Sequence, residues 1–148
     1  MTRPAPFPHR YSVQLAGAQL LAPPRQAIAA GPPPQFGGTD QVWSPEELLV
    51  AATLECLWTT FEAFARRDAL TVHEWSGSGV ATLDRSPSGP AFTSIVLTVD
   101  VSVSAGDEAL ARRVLASAEK HCIISNALRV PVVLEVNVHG DAPSAAAS

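Results

Sequence analysis

Residues Ser44 to Arg67 read SPEELLVAATLECLWTTFEAFARR. Ser44 is placed to cap a helix, Pro45 takes the first helical position, and Glu47 stands three residues after the cap, which completes a capping box. Glu46 adds negative charge where the helix macrodipole favours it, and Arg66 and Arg67 add positive charge at the opposite end. A helix over this stretch is roughly 34 Å long at 1.5 Å per residue. Its apolar residues, among them Leu48, Leu54, Leu57, Trp58, Phe61 and Phe64, cover more than one stripe, so burial on several sides is expected. Cys56 lies in the apolar middle.

Upstream of this helix, nine of the thirteen prolines fall before residue 46, which predicts an extended, turn-rich region. Within it, RYSVQLAG (Arg10 to Gly17) alternates as a strand, RQAIAAG (Arg25 to Gly31) is a candidate partner strand, and FGGTD (Phe36 to Asp40) reads as a turn. Downstream, LTVHEWSGSGVATLD (Leu70 to Asp84) and AFTSIVLTVDVSVS (Ala91 to Ser104) alternate at period two and form a predicted antiparallel hairpin around RSPSGP. The glycines of SGSG (Ser76 to Gly79) interrupt the first strand, as a bulge or a close approach would. Asp107 and Glu108 open a second helix whose stripe Leu110, Val114, Ala118, Cys122 carries it to about Asn126–Leu128. VPVVLEVNVHG (Val130 to Gly140) is a final strand. The order predicts a single α+β domain over residues 1–148, helices on an antiparallel sheet, with flexible ends at 1–9 and 141–148.

Composition narrows the function. The chain has 148 residues and a formal charge of −4, and its ten Lys and Arg form no continuous basic stripe, which argues against a nucleic-acid partner. No uninterrupted apolar run approaches the roughly 18 residues of a membrane helix, and the proline-rich MTRPAPFPHR is a poor signal-peptide core, so a soluble cytoplasmic protein is expected. Charged residues make up only 16%, against about 25% in an average domain; a self-association interface is the simplest place to hide the surplus apolar surface.

Two cysteines, Cys56 and Cys122, cannot build a disulfide scaffold. Spacing alone favours a core role for each, since cysteine is among the most buried residue types. No CxxC or HxxxH pair is present, and the neighbours His121 and Cys122 diverge on a helix, so no metal site is expected. No nucleotide or serine-hydrolase fingerprint appears, and no cofactor is implied.

SPEELLVAATLEC, with Pro-Glu at the helix start and a cysteine ten residues beyond Glu46, resembles the signature of the OsmC/Ohr family, the osmotically inducible and organic hydroperoxide resistance proteins. AEKHCIISNAL (Ala118 to Leu128) resembles the family's second cysteine helix, and with FGG at Phe36 to Gly38 the likeness spans about residues 10–140. The resemblance implies a thiol-dependent peroxidase: Cys56 attacks the O–O bond of an organic hydroperoxide and becomes a sulfenic acid, Cys122 resolves it as a disulfide, and a dithiol such as a lipoyl group restores the pair. It also implies an activating arginine held by the Pro-Glu carboxylate. Glu46 matches that glutamate by spacing, and Arg25 is the candidate arginine from the N-terminal strand region.

Ten helical residues put Glu46 about 15 Å from Cys56, beyond hydrogen-bond reach, so a contribution from Glu46 calls for a second chain. This agrees with the intertwined homodimers of the family, with a site at each interface. Leu57, Trp58, Phe61 and Phe36 are candidate walls for an alkyl or aryl group. Glu55, beside Cys56, is an acidic departure from the small residue common there, and it motivates a rival expectation: an inert dimeric protein of this fold that binds a small apolar ligand.

Overall fold

The structure is a computed structural model and describes residues 5–141. Its contacts sort the chain into two units, residues 1–48 and residues 49–148.

In the first unit, β1 (Gln14–Ala16), β2 (Gln19–Leu21) and β3 (Ile28–Ala29) form a small antiparallel sheet in that order. β1 and β2 are a tight hairpin across Gly17 and Ala18, with Gly17 at φ 59°, a left-handed conformation that glycine adopts without a Cβ penalty. The expected pairing of the Arg10–Gly17 stretch with the Arg25–Gly31 stretch is therefore incorrect: β2 lies between them and pairs with both. The hairpin is favoured because two residues suffice to close it, whereas direct pairing would leave the polar groups of residues 19–21 without a ladder. Trp43 then runs beside β3, its N–H donating to Ala29 O at 3.3 Å and its carbonyl accepting from Gly31 N at 2.9 Å.

Helix α1 (Pro45–Arg67) begins as its cap dictates. The Glu47 N–H donates to Ser44 Oγ at 3.1 Å, and the Ser44 N–H and hydroxyl donate to Glu47 Oε1 at 3.1 and 2.8 Å. The helix ends where Ala69 turns left-handed and the Leu70 N–H returns to Ala65 O at 2.8 Å.

In the second unit, β4 (Val72–Ser86), β5 (Gly89–Ser104) and β6 (Val132–Asp141) form one sheet with β5 central. β4 and β5 are antiparallel, as expected, but β6 is parallel to β5, so the sheet is mixed rather than antiparallel. The parallel pairing requires a crossover, and α2 (Glu108–Lys120) with α3 (Ile123–Ala127) supplies it. The hairpin turn is only Pro87 and Ser88, because Gly89 at φ 113° lets the strands extend through most of RSPSGP. The core is the period-two row Ile95, Leu97, Val99, Val101 and Val103 packed against Leu57 and Phe61 of α1 and Val114 and Leu115 of α2. Each such side chain contributes about 1.5–3 kcal/mol on burial.

The SGSG glycines mark a close approach, and the bulges lie elsewhere, at Val72/Glu74 and Thr82/Leu83. A Cβ on Gly77 would stand 3.0 Å from Leu54 Cδ1, and one on Gly79 would stand 2.6 Å from Val50 Cγ1. The missing side chains let α1 lie down on β4. The second helix is not continuous to Asn126. It breaks at Cys122, whose backbone is extended at φ −67° and ψ 110°. The break leaves the Lys120 carbonyl without a helical donor, and the Asn126 side chain supplies one, Nδ2 donating to Lys120 O at 3.0 Å; Ser117 O keeps its helical bond from the His121 N–H at 3.1 Å, with His121 Nδ1 also 2.8 Å away.

Candidate active site: a pair of thiols

Cys56 comes from the middle of α1 and Cys122 from the joint between α2 and α3, and both are free thiols. They lie in the same unit, close enough for Cys56 to bear directly on the titration of Cys122. No directed hydrogen bond joins the two sulfurs among the described residues. Ser125 Oγ instead donates to Cys122 Sγ at 3.3 Å.

The two thiols differ in environment. Cys122 has no exposed surface, whereas Cys56 is half-buried. Burial pushes the Cys122 thiol up from its ordinary value; hydrogen bonds from Ser125 pull it down, and neighbouring Cys56 pushes it up further. Cys122 is also fixed in place, with its N–H donating to Glu119 O at 3.2 Å and its carbonyl accepting from Asn126 N at 3.0 Å. At Cys56 the carbonyl accepts the hydroxyls of Thr60 at 2.7 Å and Thr59 at 3.2 Å. One helical turn beyond Thr60, Phe64 meets His121 edge-on at 5.6 Å, with the Arg67 guanidinium carbon 4.4 Å from the centre of its ring.

The other expected site residues, Glu46 and Arg25, both belong to the first unit. No ion pair joins them among the described residues: Arg25 is exposed, with its guanidinium 3.5 Å from Ala22 O. Glu46 Oε2 is enclosed and has no hydrogen-bond partner there. Of the expected apolar walls, Leu57 and Phe61 are 1% and 0% exposed and belong to the core. Half-buried Trp58 packs on Trp75 at 4.8 Å between ring centres and lines an open groove of about 290 Å³ with Glu62, Arg66 and His73. Phe36 is exposed, and so is Glu55.

Sequence reasoning missed Ser125 and Thr60. The signal for Ser125 was available: a serine three residues after a residue that leaves a helix is placed to turn its hydroxyl back towards it. Recognising it required knowing that the helix breaks at Cys122.

An α+β layer of helices on a sheet, carrying a half-buried and a fully buried free cysteine that bear on each other's surroundings, defines a dithiol protein. The OsmC family model, described as OsmC-like protein, matches residues 38–137, and this chain belongs to that family. An OsmC-like protein of unknown function from Vibrio cholerae has 22% identity and a TM-score of 0.73, covering 80% of this chain and 82% of its own. An OsmC-like protein from Mycoplasma pneumoniae has 13% identity and a TM-score of 0.75, covering 88% and 98%. An organic hydroperoxide resistance protein OsmC from Legionella pneumophila has 18% identity and a TM-score of 0.67, covering 89% and 99%. At these identities the likeness is one of fold. No curated protein matches the chain.

Proposed function

We propose that this protein is a thiol-dependent peroxidase that reduces organic hydroperoxides. The observation that carries the proposal is the placing together of two free thiols of unequal accessibility, Cys56 and Cys122. Cys56, the reachable thiol, attacks the distal oxygen as a thiolate. The O–O bond breaks, the alkoxide leaves and takes a proton as the alcohol, and Cys56 becomes a sulfenic acid. Cys122, protonated at rest by burial, gives up its proton and attacks the sulfenic sulfur as a thiolate; the S–O bond breaks, the hydroxide takes up that proton and leaves as water, and a Cys56–Cys122 disulfide forms. A dithiol restores both thiols. A reducing cytosol suits such a cycle.

The active assembly in this reading is a homodimer. α1 is long and apolar enough, by length and composition, to cross a membrane, with a mean hydropathy of 1.4 over an 18-residue window that is only 22% buried. The uncovered surface fits a second copy better than lipid, because α1 also carries Glu46, Glu47, Glu55 and Glu62. Glu46, with its unpartnered oxygen, and Arg25 would then serve as the activating pair of the assembled site. Names among the structural neighbours support the substrate class: the Legionella pneumophila protein and one from Elizabethkingia anophelis are called organic hydroperoxide resistance proteins.

The test is a brief stoichiometric dose of cumene hydroperoxide followed by thiol titration and peptide mass mapping. Loss of two thiols with a Cys56–Cys122 bridge is the expected result. Retention of both thiols would remove the peroxidase reading and leave an inert dimeric binder of small apolar ligands.

A further inference from the structure

We infer that Ser125 is a positioning residue for the reductive half of the cycle, holding Cys122 as the leaving sulfur so that the incoming thiolate attacks Cys56. This inference rests on the peroxidase reading above.

A disulfide can be attacked at either sulfur, and access and leaving-group stability decide which. Cys122 has no exposed surface whereas Cys56 is half-buried, so Cys56 is the sulfur a reductant reaches more readily. A groove of about 490 Å³ beside α3 is lined by Lys120, Ser125, Asn126 and Arg129, and Cys122 is not among its walls. The Ser125 hydroxyl, 3.3 Å from Cys122 Sγ, is placed to donate to the negative charge that gathers on that sulfur as the S–S bond breaks. Burial works against a thiolate at Cys122, and the hydroxyl offsets part of that cost.

The step balances as follows. One thiolate of a dithiol forms a bond to Cys56 Sγ, the Cys56–Cys122 bond breaks, and its electron pair goes to Cys122 Sγ, which then takes up a proton. The second thiol of the reductant attacks its own sulfur in the mixed disulfide, releasing the Cys56 thiolate and a cyclic disulfide. The dithiol is oxidised by two electrons, and the protein disulfide is reduced by two.

To test this, the bridged protein is prepared twice, with cumene hydroperoxide and with diamide. Each sample is treated with limiting glutathione, quenched in acid within milliseconds, and unfolded with a maleimide so that the first released thiol is labelled. The label is expected on Cys122 and glutathione on Cys56; the reverse pattern overturns the inference and leaves the peroxidase reading intact. If neither oxidant forms the bridge, both fall. If only diamide forms it, the peroxidase reading falls and the labelling pattern still decides the role of Ser125. Ser125→Ala should slow bridge reduction about tenfold and Ser125→Thr should restore it. Neither should change the first oxidation of Cys56, which a merely structural role would also disturb. Wild-type reduction by Ser125→Ala overturns the inference.

Discussion

Residues 49–141 and residues 5–48 are two different kinds of polypeptide. The first contains every buried apolar side chain among the described residues, from Leu57 through Cys122. The second contains none. Its strands are three, three and two residues long, and Tyr11, Val13, Leu15 and Phe36 are all exposed. Burial is the dominant favourable term in folding, so the C-terminal unit can account for its own order and the N-terminal unit cannot. The surface that covers the N-terminal unit, in our proposal, comes from assembly with a second copy.

Several substitutions can break this contrast. The largest effect is chemical: Cys56→Ser should abolish turnover of cumene hydroperoxide with a dithiol, whereas Cys122→Ser should allow one oxidation and no bridge. Turnover by Cys56→Ser would move the chemistry out of the C-terminal core. Phe61→Ala should lower unfolding stability by about 3–5 kcal/mol, because Phe61 is completely enclosed. Leu15→Ala, at a side chain 70% exposed, should shift dimer dissociation and leave the denaturation of the monomer within about 0.5 kcal/mol. A large monomer effect from Leu15→Ala would mean that the N-terminal unit has a core of its own.

The glycines sharpen the same contrast at smaller scale. Gly79→Ala places a Cβ 2.6 Å from Val50 Cγ1 and 3.0 Å from Leu97 Cδ2, so a loss of about 1–3 kcal/mol in chemical denaturation is expected. Gly31→Ala meets only Val42 Cγ2 at an ordinary 3.5 Å and should be near neutral.

The pH dependence follows from Cys122. Its folded pKa is raised above the unfolded value, so the folded state favours the neutral thiol. That contribution to stability is fully present below the unfolded value of about 8.5 and is lost as pH rises through the folded one. Bridge closure, which consumes the Cys122 thiolate, should therefore accelerate with pH beyond about 8.5, as stopped-flow thiol quenching would show. A rate already flat at pH 7 would contradict a buried, protonated Cys122.

How much of this was legible depended on how local each cause was. The cap of α1 was readable from Ser44, Pro45 and Glu47 because every partner lies within three residues. The alternation of β5 was readable because one face of a buried strand fixes every second residue. The parallel direction of β6 was not readable, since nothing in VVLEVNV distinguishes a parallel from an antiparallel partner. Nor was β2, whose three residues are too short to show a period. The break at Cys122 was obscured by a stripe, Leu110 to Cys122, that continues the helical spacing through a residue whose backbone is extended. The family resemblance pointed to both cysteines, but the unequal access to them emerges only from packing around α3.

The most local effect tests where one region gives way to the other. Ser44 is 2% exposed and makes the last contacts before the chain becomes helical. Ser44→Ala removes the acceptor of the Glu47 N–H and one donor to Glu47 Oε1, for a cost of about 1 kcal/mol. The loss should be local. Amides in the first turn of α1 should exchange faster, while those around Phe61, which are held by the core, should keep their protection. If protection around Phe61 fell equally, α1 would be stabilised from its N-terminus inward, and the core would be the dependent partner rather than the anchor.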